Sequence, residues 1–246
     1  MNRSAVQEFM DKTKLCNMGE SGKDLGVPRP GFELNPEGAF DVIALPAPEP
    51  SLYPCVDVTE AIESRMSARD YSPVPMKLSD LSLLLWCTQG IKRVIPGIVA
   101  LRNVPSAGAR NALETYLLIN HVEGLVSGLY KYVALSHQLL KLCESESLKN
   151  EFSLACDDQD QVRTSNVTFI WTAVPDRMTW SYAERGYRYL LIDVGHVCQN
   201  LYLTAEKLNL GVCAIGHFDD DRLNSLLGID GDRQFSVYLA TVGVKS

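Results

Sequence analysis

The chain has 246 residues, 46% hydrophobic and 22% charged, with a formal net charge of -7 and a pI near 5.1. This is ordinary globular material, long enough to bury a sizeable core in one large domain or two small ones. Its acidic balance argues against sequence-independent nucleic-acid binding, which needs a basic stripe. No apolar run approaches the roughly eighteen residues of a membrane span, and the start MNRSAVQEFMDKTK lacks the apolar core of a signal peptide. The expected setting is the cytoplasm.

Prolines and glycines punctuate the first fifty residues (VPRPG, LPAPEP) with little periodicity. This reads as an extended N-terminal arm over 1–54, packing over a folded domain at 55–246. Asp57-Val58-Thr59-Glu60 is a capping-box-like helix start. The helix turns Ala61 and Ile62 inward and runs out near Arg65–Arg69, before Ser72-Pro73. A second helix takes Ser79 as N-cap, presents Leu81, Leu84 and Leu85 on one face, and stops at Gly90.

Residues 113–122 and 129–133 are strand-like around a glycine-containing turn, and two more strands are expected at 167–174 and 234–242. Residues 144–162, rich in Glu, Ser, Asp and Gln, read as a helix with a mobile surface loop. The longest helix carries Val194, Val197, Leu201, Ala205 and Leu208 at three- and four-residue steps and ends at Asn209-Leu210-Gly211. Within it, Gly195 reads as a close-packing position and His196 as a hydrogen-bonded core histidine. Arg185 and Arg188 are expected to be salt-bridged, and Trp86, Trp171 and Trp180 to be core or lid aromatics. The seven cysteines (16, 55, 87, 143, 156, 198, 213) are widely spaced with no CxxC pair, so most are expected to be small buried hydrophobes, with no disulfide framework and no metal site. Helices and strands interleave without a βαβ rhythm and no GxGxxG opens a helix. The fold class expected is therefore an α+β sandwich, a mostly antiparallel sheet flanked by helices, and not a dinucleotide-binding Rossmann domain.

Two motifs carry chemistry. Arg65-Met66-Ser67-Ala68-Arg69 sets two guanidiniums around a hydroxyl, a set that can hold a phosphate through paired hydrogen bonds. Pro105-Ser106-Ala107-Gly108 has so little bulk that a planar ring can lie against its backbone. In this order and spacing they look like the basic wall and the small-residue wall of a flavin mononucleotide (FMN) site.

The stretches SRMSARDYS, LSDLSLLLWCTQGI, VPSAGARNALETYLLINHVEGLVSGLYKY, RGYRYLLIDVGHVCQNLYLTAEKLNLG and LATVGVK, collinear over about 57–245, carry a wider resemblance. The chain resembles FMN-dependent nitroreductase-family proteins, in particular the streptolysin-biosynthesis-type (SagB-type) dehydrogenase branch. The resemblance implies a nitroreductase-like sandwich forming an interlocked homodimer through long helices, with two FMN sites at the subunit interface. It implies that Arg65, Ser67 and Arg69 meet the phosphate, ribityl chain or pyrimidine edge, and that Pro105, Ser106, Ala107 and Gly108 line the ring from the other subunit. Ile215-Gly216-His217-Phe218 would pass beside N5, offering a backbone N–H at Gly216–His217, and Lys245 would be a second phosphate contact. The family often has Arg-Arg where this chain has Arg65-Met66, which places more of the phosphate affinity on Arg69. Azoline-oxidising members carry Lys-Tyr where Ser181-Tyr182 stands here. A serine hydroxyl is far too weak a base to replace a lysine amine.

Tyr182 and His217 are the candidate catalytic residues, and Arg65 is the candidate for favouring the more negative reduced flavin. The leading expectation is an oxidoreductase moving hydride from NADH or NADPH to a small nitroaromatic- or quinone-like acceptor. Its alternatives are a SagB-type dehydrogenase oxidising azoline rings in a peptide, and a non-catalytic flavin-binding protein. A homodimer and a small-molecule substrate are the expected partners, with no nucleic acid and no membrane.

Overall fold

The computed structural model describes residues 4–34 and 41–246. In chain order the elements are α1 (Ala5–Lys12), β1 (Asp41–Ala44), α2 (Val58–Ser64), α3 (Leu78–Gln89), β2 (Ile91–Ile95), β3 (Val99–Arg102), β4 (Leu113–Ile119), β5 (Gly128–Val133), β6 (Gln138–Glu144), α4 (Leu148–Ala155), α5 (Gln161–Thr164), β7 (Val167–Ala173), α6 (Pro175–Tyr182), α7 (Gly186–Lys207), β8 (Leu210–Ile215), α8 (Asp220–Leu227) and β9 (Phe235–Val244). Seven strands form one sheet in the order β1-β6-β5-β4-β7-β9-β8, every neighbouring pair antiparallel. Strands β2 and β3 make a separate hairpin. No helix among the described residues is long and apolar enough to cross a membrane.

Side chains alternate across a strand, so each face of the sheet gathers its own apolar set. Leu117, Phe169, Trp171 and Val242 meet α3 through Leu81, Leu84 and Leu85, and α7 through Leu190, Val194, Val197 and Leu201. Tyr116, Leu118, Ile170 and Leu239 on the other face meet Phe152, Cys156 and Val162 of the α4–α5 region and Leu223 and Leu227 of α8. The α+β sandwich expected from the sequence is the fold observed.

Several local expectations are corrected. Asp57 caps α2 by accepting from the N–H groups of Thr59 and Glu60, but Ile62 is 54% exposed while Ala61 is buried. Helix α3 starts before Ser79, at Leu78, with Lys77 at its N-cap and no side-chain cap. It stops at Gly90, whose backbone leaves the helix at ψ 145° in a position only glycine fits, since a Cβ there would run into the Trp86 ring and carbonyl. Helix α7 ends at Lys207, Asn209 turns the chain with φ 54°, and Leu210-Gly211 opens β8 instead of closing the helix. The 144–162 stretch holds helix α4 and the exposed turn of Asp157, Asp158 and Asp160, and its apolar residues Phe152, Cys156 and Val162 are fully buried against the sheet. Three cysteines are buried (156, 198, 213), whereas Cys16, Cys55 and Cys143 are exposed. Within the arm, Ser4 and Gln7 form a capping box on α1, and β1 pairs with β6 at the sheet edge.

A cluster of buried charges crosses the sheet. Glu114 on β4 is 3% exposed and takes Lys131 Nζ of β5 at 3.1 Å, Arg177 of α6 at 2.5 Å, and the N–H of Leu34 in the arm at 2.9 Å. Burial alone would push its carboxyl up, but Arg177 and Lys131 outweigh that and hold it below the usual carboxylate range. Replacing Glu114 by Gln leaves two buried cations without a counter-charge. Glu114→Gln should lower stability by about 3–5 kcal/mol, read as a reduced urea midpoint; an unchanged midpoint would show that the network contributes nothing net.

Candidate functional site

The segment after α2 lies flat on the end of the sheet. Ser67 bridges Val212, the Ala68 N–H donates to the Val212 carbonyl at 2.9 Å, and the Ser72 N–H donates to the Val244 carbonyl at 2.9 Å. Two glycines facing each other across β8 and β9, Gly211 and Gly243, make this possible. A Cβ on Gly211 would sit 2.7 Å from the Ala68 Cβ, and one on Gly243 would sit 2.6 Å from the Tyr71 ring. Tyr71 locks the segment from below: its hydroxyl donates to the Ala68 carbonyl at 2.7 Å and lies 2.7 Å from Thr241 Oγ1.

Tyr202 of α7 is the second anchor. Its hydroxyl accepts from the Ala214 N–H at 2.9 Å and shares a hydrogen bond with Ser67 Oγ at 3.1 Å, tying helix, β8 and the basic segment together. The Arg65 guanidinium stands over the Tyr202 ring, 5.2 Å from its centre. Ser67 and Arg69 are exposed, and neither arginine forms an ion pair among the described residues. A cavity of about 420 Å³ opens here, lined by Ser64, Ser67, Ala68, Arg69, Lys245 and Ser246 among others. Lys245 reaches this cavity with its charge already engaged by Glu206, at 2.9 Å.

The Pro105–Gly108 turn is built on the other end of α7. Ser106 Oγ accepts from the Asn111 N–H at 2.9 Å, and the Ala107 N–H donates to Asp193 at 3.2 Å. Asp193 is 4% exposed, its second oxygen has no partner, and burial pushes its carboxyl up, with the bonds from Ser106 and Ala107 opposing. Gly108 has φ 55°, and a Cβ there would run into the Tyr182 hydroxyl. Ala109 follows with φ 51° and, after a right-handed Arg110, Asn111 has φ 49°, a left-handed conformation that non-glycine residues adopt rarely.

The predicted residues therefore fall into separate groups within one chain. Arg65 and Ser67 contact Tyr202, and Ser67, Arg69 and Lys245 line one cavity, close to the β8 strand that leads to Gly216 and His217. Tyr182 stands instead with Gly108, beyond the opposite end of α7. Asp193 and Tyr202 are nine residues apart, roughly 13 Å along the helix. The His217 side chain is 83% exposed and 3.3 Å from Asp157, and its carbonyl accepts from Gln159. His196 and Gly195 are exposed on α7 and not in the core; nothing lies within 4 Å of a Cβ placed on Gly195. Arg185 and Arg188 bind the arm, not carboxylates: they donate to Thr13 and to the Met10 carbonyl. Trp171 is fully buried, and Trp180 is half-buried under the arm. Sequence reasoning missed Tyr71, Asp193 and Tyr202. The readable signal was a polar group on a buried stripe: Asp193 and Tyr202 share the apolar face of Val194, Val197, Cys198 and Leu201, where a carboxylate or hydroxyl must find a partner.

Residues 62–244 match the nitroreductase family, and the chain belongs to that family. It is 32% identical over 190 residues to a nitroreductase-like protein of Methanocaldococcus jannaschii, covering 77% of this chain and 92% of that one. It is 27% identical over 141 residues to the microcin B17-processing protein of Escherichia coli, covering 55% of this chain and 51% of the relative. Among solved structures, a nitroreductase-like protein of Anabaena variabilis superposes with a TM-score of 0.70 at 28% identity, covering 84% of this chain and 42% of the longer one.

Tyr202→Phe removes a hydroxyl with two partners and leaves the Ala214 N–H unpaired. It should destabilise the protein by about 1–2 kcal/mol, measured by chemical denaturation; wild-type stability would show that water replaces the hydroxyl without loss.

Proposed function

We propose that the chain is an FMN-dependent oxidoreductase that acts as a homodimer and carries hydride from NADH or NADPH to a small, flat organic acceptor. The observation that carries the reading is the cavity at Arg69: its guanidinium, with no ion-pair partner among the described residues, stands beside the exposed Ser67 hydroxyl and Lys245, with Asp70 also in the lining, and Arg65 stands nearby over Tyr202, which shares a hydrogen bond with Ser67. Its floor is small because Ala68 lies on Gly211. This donor set fits one terminal phosphate, so the residues present suit FMN.

The remaining roles follow from placement. Arg69 would bind the phosphate, with Ser67 beside it and Lys245 contributing less because Glu206 already holds its charge. Arg65, fixed over Tyr202, would face the edge of the ring system that becomes more negative on reduction, favouring that state. Bound FMN would supply the hydride exchange with nucleotide and acceptor. Gly108, with no Cβ, would let a planar group approach the Ser106–Ala107 backbone, and the Tyr182 hydroxyl beside it would hold or move a proton on the substrate. Gly216 and His217 would offer backbone N–H groups rather than a side chain, in keeping with the solvent-facing imidazole.

The separation of the two walls along α7 supports a second subunit. Tyr187, Leu191 and Ile192 are exposed on α7, in line with Gly195, His196 and Gln199. This stripe suits the α7 of a second copy, which would bring its own Pro105–Gly108 turn to the phosphate end. A second reading, oxidation of azoline rings in a peptide, is favoured by the likeness to the microcin B17-processing protein and by Tyr182 at Gly108. Ser181 in place of a lysine weighs against it.

Two experiments test the proposal. Arg69→Ala should weaken FMN binding by about 1.5–3 kcal/mol, the scale of hydrogen bonds to a charged group, followed by flavin fluorescence; unchanged affinity would remove Arg69 from the phosphate site. In anaerobic cuvettes, NADH or NADPH should bleach the flavin and a nitroaromatic or quinone should restore its colour. If neither nucleotide bleaches it but an azoline-containing peptide does, the second reading replaces the first.

A further inference from the structure

A second cavity, of about 560 Å³, opens beside Gly108 where the arm meets α6 and the turn between β2 and β3. Its cations come from two distant parts of the chain, Lys23 and Arg29 from the arm and Arg110 from just past Gly108, and its lining contains no acidic residue. Trp180 is the shared platform. Its Nε1 donates to the Val27 carbonyl at 2.7 Å, and its carbonyl accepts from the Lys23 N–H at 2.8 Å, so the arm is fastened to it on two sides. The Arg110 guanidinium lies 5.2 Å from the Trp180 ring centre and that of Arg29 lies 5.9 Å from it, with Phe32 4.9 Å from Arg29 on its own side.

Two guanidiniums on one indole repel each other, and nothing among the described residues neutralises them. Neither forms an ion pair there; Arg110 spends Nε on the Gly108 carbonyl at 3.0 Å and keeps its terminal N–H groups free. Burial, and then the charge of Arg110, disfavour the protonated form of Arg29. Holding such a cluster unpaired costs folding free energy, in a chain with 30 acidic residues against 23 basic ones. A planar guanidinium donates two parallel hydrogen bonds to a carboxylate or phosphate, and an indole wall holds flat rings. The volume is that of a small-molecule subsite.

We infer that Arg29 and Arg110, mounted on Trp180, form a subsite for an anionic group, carboxylate or phosphate, on the molecule that meets the flavin face at Gly108. This rests on the FMN reading, since Gly108 marks the flavin face only under it. The anion has two sources, a carboxylate on the acceptor or the phosphates of the nicotinamide nucleotide, and both present the same oxygens to the same fork.

The test is calorimetric binding to the purified protein with two ligand pairs: 4-nitrobenzoate against 4-nitrobenzamide, and ADP-ribose against adenosine, which differ in the diphosphate and the ribose it carries. In at least one pair the anion should bind about tenfold tighter, the scale of one charge-assisted hydrogen bond. Arg29→Gln, which leaves the Arg110–Gly108 bond alone, should remove most of that preference, and the Arg29→Gln/Arg110→Gln double variant should bring the ratio near one. Loss confined to the nitrobenzoate pair assigns the subsite to the acceptor's carboxylate; loss confined to the ADP-ribose pair assigns it to the nucleotide's phosphates. Equal binding within both pairs in the wild type, or a preference kept by the double variant, overturns the proposal. The visible spectrum of the same preparation separates this from the reading beneath it: a colourless protein that refuses FMN yet keeps the arginine-dependent preference retains the anion subsite and loses the flavin.

Discussion

One buried carboxylate, Glu114, positions most of what frames the candidate site. It sits in the middle of the sheet, where a lone charge would be intolerable, and survives there because Lys131, Arg177 and the Leu34 N–H share its two oxygens. Each partner brings a different part of the chain. Lys131 also donates to the Leu34 carbonyl, so the arm is gripped through both of that residue's backbone groups. Arg177 turns toward the Asn111 carbonyl, at the end of the Ser106–Gly108 turn. Glu33 extends the grip by accepting from the N–H groups of Ala134 and Leu135. The arm, α6 and the small-residue turn are thereby referred to one point in the core. Tyr182 and Trp180, both on α6, inherit their positions from it.

Helix α7 does for the long dimension what Glu114 does for the centre. Its buried stripe holds it on the sheet, and two polar residues on that stripe reach out to opposite ends of the site. Asp193 fixes Ala107, and Tyr202 fixes Ser67 and Ala214. A rigid helix sets the spacing between those ends at roughly 1.5 Å per residue, so within one chain the two walls stand apart. That fixed gap, together with the exposed apolar residues on the helix's outer face, is the physical content of the expectation that two copies are needed.

How much of this was legible in the sequence depends on whether the signal was local. The β4 and β7 runs were readable because their apolar and β-branched residues declare themselves over seven positions, and the cap at Asp57 because its carboxylate acts two and three residues away. The helix α3 start was misread because Ser79 looks like a cap, while the partly buried Leu78 packs against the core and draws the helix back past it. Strands β1 and β8 were missed for a tertiary reason: DVIA has four residues in a proline-rich setting, and LGVCAI follows a long helix with no turn signal beyond Asn209. The Arg-x-Ser-x-Arg and Ser-Ala-Gly motifs were legible as chemistry. Their separation along α7 was not, since it depends on which faces Asp193 and Tyr202 occupy. Arg185 and Arg188 were misassigned because their acceptors are backbone carbonyls and a hydroxyl more than 170 residues away.

The charge distribution completes the physical account. A chain of net charge -7 would repel an anionic ligand at long range if its charge were evenly spread. Here cations without an ion pair among the described residues gather at two places, Arg65 over Tyr202 with Arg69 in the cavity beside Ser67, and Arg29 and Arg110 beside Trp180, and in both an arginine stands over an aromatic ring. The rings replace water on one face of each guanidinium without neutralising it, leaving the hydrogen-bonding edge free. Lys131 and Arg177 are spent on Glu114 inside the fold, whereas Arg65 over Tyr202 and Arg110 over Trp180 have no carboxylate partner among the described residues, so their charge stays available to something outside the chain.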